Sequence, residues 1–410
     1  MLKKEKLSPI NLIVIIMLFL TLVKLLEIIV TDGAALRNYI WEFDTSFRDY
    51  LYHVKTSMMD GNVYDRGNGS CFPPLAYLFY KILAAFCKVD NSSSGLTGLT
   101  SSTSYLLSLI LVEGLTIVLM AITVKDILDR EKVDPAASNM IAFLLVSSNV
   151  VLSSITSGNI AFSVSVILLM AMALRDSKNG ILREISLILI AIAACFKIYP
   201  CVMGAHYLRE KRYKEAVRLI IYGILLFFLP FVFFEGIYGF KMFLKNITEV
   251  GGIVTDITII GLVSRILSYF MTSDLALIIA RIVDIIYFII ILTLVLTDKR
   301  KNSWKTILFV SSMMIVVNTE SGSYCLSYMI MPFVFFVVSM AQKKKYMSID
   351  YLYAVLFALF YTMIPIPILG GASFIPTIIM YLILLTALTE ELITVIKSRK
   401  LSREDSIKEI

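Results

Sequence analysis

Residues 9–30 read PINLIVIIMLFLTLVKLLEIIV, an apolar run interrupted only by Asn11, Thr21, Lys24 and Glu27 among polar positions. A helix rises about 1.5 Å per residue and the hydrocarbon core of a bilayer is about 30 Å thick, so roughly 20 apolar residues cross it. Lys3, Lys4 and Lys6 precede the run. That order resembles a secretion signal, but the run exceeds the roughly 7–15 residues of a signal core and no small-residue cleavage site follows. The expectation is an uncleaved first spanning helix.

Runs of the same kind recur along the chain. Of 410 residues, 58% are hydrophobic and 17% charged, and the mean hydropathy is +0.82. Soluble domains carry about a quarter charged residues. The fold class is therefore all-α, a polytopic integral membrane protein. Apolar segments near 9–30, 102–124, 135–153, 159–174, 184–198, 200–208, 214–235, 274–297, 304–318, 324–341, 350–366 and 373–396 predict about twelve transmembrane helices. Residues 1–397 form one membrane domain, 398–410 a short basic tail, and no internal repeat is visible.

The net charge of +7 points to topology and not to nucleic acid, because Lys and Arg gather in short turns. The clusters are Lys125 to Lys132, Arg175 to Arg183, Arg209 to Arg218, Lys299 to Lys305, Lys343 to Lys345 and the tail from Lys397. The positive-inside rule places them, and both termini, in the cytoplasm of a plasma-membrane protein. Residues 31–101 then lie wholly outside as a long first loop. A second outer loop falls near 236–273, with short outer turns near 157–159, 197–200, 319–323 and 365–373. The apolar stretch 72–86 begins Pro73-Pro74 and contains Lys81, which suits a helix at the outer surface. Lys197 and Pro200 interrupt the run 184–208 and predict a hairpin with an outward tip.

No Cys-x-x-Cys pair occurs. Cys195 and Cys201 read as inert core thiols, and Cys71 and Cys87 share the outer loop, where a disulfide between them is conceivable. With only His53 and His206, a histidine metal site is not expected. The first loop is rich in acids and aromatics: Asp44 to Tyr50, Gly61 to Tyr64, and Phe72-Pro73-Pro74-Leu75. Solvated loop charges and a headgroup aromatic belt account for such residues one at a time; the ordered set is less easily explained that way.

That set resembles the first outer loop of glycosyltransferase family 87, GT-C-fold enzymes that use polyprenyl-phosphate sugars and include mannosyltransferases. The family's later motifs are matched in order by Ser157-Gly158-Asn159, by small residues Ala191 to Cys195 leading to Phe196-Lys197-Ile-Tyr-Pro200, by the basic segment Arg209 to Arg218, and by Ser321 to Pro332 with Tyr324 and Tyr328. The resemblance spans residues 40–335. The family's aspartate column falls on Asp44, Asp49 or Ser46, and the His-Tyr pair of some members has no histidine here, so no role passes through it.

The resemblance implies transfer of a hexose, mannose among the candidates, from a polyprenyl-phosphate donor to a lipid or glycan acceptor on the outer face, with inversion. The residues suit that chemistry. A carboxylate takes the acceptor proton: Asp49 first, inside the Phe47 to Tyr50 cluster, then Asp44, then Glu320. A cation receives the leaving phosphate: Lys197 first, with headgroup snorkelling as its ordinary alternative. Arg265, Arg281, Lys241 and Lys245 come second, Arg281 reading as a structural pair with Asp284. Tyr50, Tyr64, Pro73, Pro74, Asn159 and Tyr324 complete the expected substrate-binding set. No carboxylate spacing suits a metal, so neither metal nor cofactor is expected, and the partners are membrane lipids, the donor and the acceptor, without nucleic acid. The rival reading is a polytopic lipid or solute transporter, but only one interrupted hairpin is present, without a counterpart in the other half. A surface-polysaccharide polymerase or ligase would place its large loop late in the chain, and a non-catalytic assembly factor remains a further alternative.

Overall fold

A computed structural model of the chain describes residues 7–40, 47–67, 69–87, 103–250, 255–298, 300, 303–317, 321–362 and 374–408, with side chains in the last segment to residue 394. These residues are helical, without a strand among them. The helices are α1 (Pro9–Val30), α2 (Leu36–Tyr39), α3 (Arg48–Met58), α4 (Pro74–Ala85), α5 (Thr103–Arg130), α6 (Pro135–Val146), α7 (Asn149–Ser157), α8 (Ala161–Leu174) and α9 (Gly180–Phe196). They continue with α10 (Ala205–Arg209), α11 (Tyr213–Phe228), α12 (Ile237–Val250), α13 (Ile259–Leu267), α14 (Ser273–Thr297), α15 (Trp304–Val316), α16 (Ile330–Gln342), α17 (Ser348–Thr362) and α18 (Phe374–Lys408).

Six segments are long and apolar enough to cross a membrane: Pro9–Val30, Thr103–Arg130, Tyr213–Phe234, Ser273–Thr297, Ser323–Gln342 and Phe374–Thr394, or seven if α6 and α7, bent by 40°, make one span. The other expected spans fall on shorter pieces, such as Ala161–Leu174, Trp304–Val316 and Ser348–Thr362. The expected hairpin 184–208 is α9, a 3-10 turn Tyr199–Gly204 carrying Pro200, and α10. Helix α18 runs on to Lys408, into the stretch expected as the basic tail.

Burial sorts the helices. Every residue of α15 except Lys305 is buried, as suits a helix apolar on all sides. The peripheral helices present apolar faces outward: Ile15, Phe19, Leu22 and Leu26 on α1, Leu107, Ile110 and Leu111 on α5, and Ile278, Ile282 and Ile289 on α14 are all exposed. In water such faces would drive aggregation; in hydrocarbon they are the solvated surface. Small hydroxyls go inside, including Ser153, Ser154, Ser165, Ser186, Ser311 and Ser312, where they allow close helix approach.

Lys24, in the C-terminal half of α1, is buried and spans the α6–α7 break. Its Nζ donates to the Ser147 carbonyl at 2.7 Å and Asn149 Oδ1 at 3.1 Å. A broken helix frees carbonyls that hydrocarbon cannot satisfy, and this ammonium takes one of them.

The basic turns gather at one end. Gln342 donates to Glu131 at 2.7 Å, Arg130 to the Ala173 carbonyl at 3.0 Å, Arg212 to Asp176 at 2.9 Å, and Tyr351 to the Leu7 carbonyl at 2.9 Å. The opposite end holds α3, α4, α12 and α13, so the two outer loops of the sequence reading share one end. They interlock there: Asn246 Nδ2 on α12 donates to the carbonyls of Tyr64 (2.9 Å) and Ser70 (3.0 Å), and Asn62 Nδ2 to that of Phe234 (3.0 Å).

Candidate functional site

Helix α7 ends at Gly158, in the left-handed region at φ +63, the usual C-terminal role of glycine. The missing side chain serves a second purpose. A Cβ at Gly158 would lie 2.9 Å from Tyr50 Cβ and 3.0 Å from Phe47 Cα, so the start of α3 rests directly on this cap. Phe47, itself left-handed at φ 62, precedes α3, and its N–H donates to the Thr156 carbonyl at 2.5 Å.

That contact places Asp49, in the first turn of α3, opposite Asn159. The Asn159 Nδ2 donates to Asp49 Oδ2 at 2.6 Å, while its Oδ1 accepts the Ala161 N–H at 3.0 Å. A backbone N–H can only donate, so it fixes which end of the amide faces the carboxylate. The second Asp49 oxygen has no hydrogen-bond partner among the described residues, and the side chain is half-buried.

Lys197 caps α9 in extended conformation (φ −143, ψ 135), where Pro200 forbids helix continuation. It is only 6% exposed. Its Nζ lies 4.7 Å from the Tyr324 ring centroid, 4.9 Å from that of Phe72 and 5.6 Å from that of Tyr199, within cation–π range. A snorkelling lysine keeps its ammonium exposed, whereas this side chain is buried against three rings. Tyr324 is tied to α7, the helix that ends beside Asn159, by Ser154 Oγ, which donates to the Tyr324 carbonyl at 3.4 Å.

His53 completes the cluster. It stacks on Phe72 at 4.2 Å and on Tyr80 at 5.2 Å, with Nδ1 3.4 Å from the Tyr77 hydroxyl. Burial, aided by the charge of Lys197, pulls its pKa down to about 3, so the ring is neutral near pH 7. The sequence reading passed over His53. Its spacing was the available signal, since residues 49 and 53 share a helix face.

The other expected site residues divide. Tyr50 turns away from Asp49: it is buried, its hydroxyl donates to Ser108 Oγ on α5 at 3.0 Å, and its ring meets Tyr80 and Tyr105. Tyr64 is fully buried, donates to the Phe72 carbonyl at 3.0 Å, and is ringed by Tyr77, Phe231, Phe234 and Phe243. Pro73 caps α4 and Pro74 opens it, the position proline favours. These residues hold Phe72 in place and do not line the Asp49–Lys197 cluster themselves. Arg265 is mostly exposed and paired with Asp256. Lys245 faces Glu249 at 3.8 Å. The expected Arg281–Asp284 pair does not form: Arg281 is exposed, while Asp284 is buried with Oδ1 lacking a hydrogen bond. Asp44 and Glu320 lie outside the described residues.

None of the five cysteines forms a disulfide, so Cys71 and Cys87 are not bridged, and Cys201 is exposed where a core position was expected. Among the described residues no three of His, Cys, Asp and Glu gather as a metal site would require.

Residues 71–319 match the model of glycosyltransferase family 87. The match takes in Phe72, Asn159 and Lys197 and begins after α3. No curated protein and no solved structure matches the chain. With more than half of its length covered and apolar helices long enough to cross a bilayer, the chain belongs to glycosyltransferase family 87, a family of membrane glycosyltransferases.

Proposed function

We propose that this membrane glycosyltransferase moves a hexose from a polyprenyl-phosphate donor to a lipid or glycan acceptor, at the outer face of the plasma membrane and with inversion. One observation carries the reading: Asp49, a carboxylate with one uncommitted oxygen, stands one helical turn from His53, whose ring stacks on Phe72 at 4.2 Å, and the Phe72 ring lies 4.9 Å from the buried ammonium of Lys197. Transfer needs both. The acceptor oxygen attacks the anomeric carbon, forming the new glycosidic bond. The bond from that carbon to the donor phosphate breaks, and its electron pair stays on the phosphate oxygen. The acceptor proton passes to Asp49, the general base, and the charge developing on the phosphate is met by Lys197, whose attraction is strong where water is excluded. Asn159 holds the carboxylate in position. The Phe72, Tyr199 and Tyr324 rings shield the ammonium and offer faces for the sugar or the prenyl chain. The step uses neither a metal nor a cofactor. On this reading the basic end of the bundle, with both termini, faces the cytoplasm.

The test is glycolipid and glycan mass spectrometry on membranes from cells carrying wild type, Asp49→Asn, Asp44→Asn or Lys197→Met. Removing the base is expected to lower transfer about 10²- to 10⁴-fold. Lys197→Met should raise the donor KM and lower kcat, because the cation acts on donor and leaving group alike. Full activity in Asp49→Asn with loss in Asp44→Asn would move the base to Asp44. Full activity in both would end the base assignment, and absence of any covalent product in wild type would favour the transporter reading.

A further inference from the structure

At the basic end, the α8–α9 turn, the α10–α11 turn and the start of the α14–α15 turn meet around a pocket of about 630 Å³. Lys178, Arg183, Arg209, Arg212 and Arg300 line it, against Asp176, Glu210 and Asp298. The lining acids are fewer than its cations, although Glu215 also pairs Arg212 at 2.7 Å and Glu391 pairs Arg300 at 2.8 Å from outside the lining. Glu210 is shared by three guanidiniums: Arg175 at 3.0 Å, Arg212 at 3.6 Å and Arg209. Asp176 is likewise approached by Arg175 at 3.2 Å and Arg212 at 2.9 Å.

Three lining cations keep donor capacity, two at the rim and one buried. Lys178 is exposed and makes no ion pair among the described residues. Arg183 donates to the carbonyls of Ser177 (2.9 Å) and Lys178 (3.3 Å), and its nearest carboxylate, Glu215, stands 3.9 Å away. The Arg209 side chain is 2% exposed, and its Nη1 has no acceptor among the described residues. An excess of buried cation charge is costly without an anion. Guanidinium forks with a nearby ammonium match the oxygens of a phosphate group.

We infer that this pocket is a binding site for a phosphate group at the membrane surface opposite the Asp49–Lys197 cluster. Two sources share that chemistry, the headgroup of an anionic phospholipid and a soluble phosphate. The pocket is built by turns at the basic end of the apolar helices, which on the membrane reading is headgroup level, where juxtamembrane cations attract anionic lipid. The sequence announced the charges only as a topology signal; the pocket exists because turns far apart in the chain converge.

The full-length protein, purified in detergent, is titrated with dioleoyl phosphatidic acid or dioleoyl phosphatidylcholine, and retained lipid is read by native mass spectrometry. Wild type is expected to retain phosphatidic acid over phosphatidylcholine, and Lys178→Gln with Arg183→Gln to weaken retention roughly ten-fold. The control removes equal charge at the same end, Lys344→Gln with Lys345→Gln, and is expected to bind as wild type. Should the double variant fold poorly, Lys178→Gln alone reads the same effect from an exposed side chain. Inorganic phosphate is then added: displacement of the lipid assigns the site to a phosphate group of either source, and persistence assigns it to the lipid headgroup. Equal retention of the two lipids, unchanged retention in the Lys178 variants, or equal loss in the control would overturn the site.

Discussion

Replacing Gly158 by alanine separates a helix cap from a positioning device. The residue sits at φ +63, so any L side chain is strained there by about 1–2 kcal/mol. The added Cβ would also stand 2.9 Å from Tyr50 Cβ, against ordinary carbon contacts of about 3.5–4.0 Å. Relief therefore requires the start of α3 to move by about 0.6–1.1 Å, with overpacking of about 1–3 kcal/mol. The combined cost stays below or near the roughly 5–15 kcal/mol of a native fold, so the variant remains measurable. The shift acts on Asp49, one residue from the contact, and a displacement of about 1 Å at a reacting group costs about 10²-fold in rate. The assay is kcat for sugar transfer in reconstituted membranes, with thermal unfolding of the purified protein alongside. Gly236→Ala is the control: it shares a positive φ of +60 but its Cβ meets nothing within 4 Å. It should lose stability while keeping transfer within about two-fold. A folded Gly158→Ala that transfers at the wild-type rate would refute the idea that the cap sets the position of Asp49.

Three further outcomes follow from the same geometry. His53 has a folded pKa near 3 against about 6.5 unfolded, so the unfolded state binds its proton first; stability is full above about pH 6.5 and falls as pH drops towards 3, by up to about 1.4 kcal/mol per unit. Thermal unfolding between pH 7 and pH 5 should show that slope in wild type and a flatter one in His53→Phe. Tyr64→Phe removes the hydroxyl bonded to the Phe72 carbonyl and should cost about 1 kcal/mol in unfolding, with transfer nearly unchanged; a large fall in kcat without loss of stability would return Tyr64 to the reacting centre. Lys24→Met leaves the Ser147 carbonyl without its ammonium and should lower stability by about 1–3 kcal/mol, read as a lower Tm, with the donor KM unchanged.

The membrane class, the helical fold and the gathering of basic turns were legible in the linear chain, because runs of apolar residues and local charge are properties of neighbours in sequence. The motif order likewise pointed to Asp49, Asn159, Lys197 and Tyr324. What periodicity could not tell is which way each motif residue faces. Asp49 and Tyr50 are adjacent, yet a helix turns 100° per residue, and one meets Asn159 while the other bonds Ser108. Tyr64, Pro73 and Pro74 belong to the motif because they hold Phe72 in place. Helix breaks are hidden for a related reason: the bend at Ser147 leaves the hydropathy of the run 135–153 intact while dividing its helix. The ring cage around Lys197 draws on residues 72, 199 and 324, and the phosphate pocket on turns near 178, 209 and 300. Such constellations are set by the packing of distant segments, whose directions no local pattern encodes, and so the tertiary structure alone decided them.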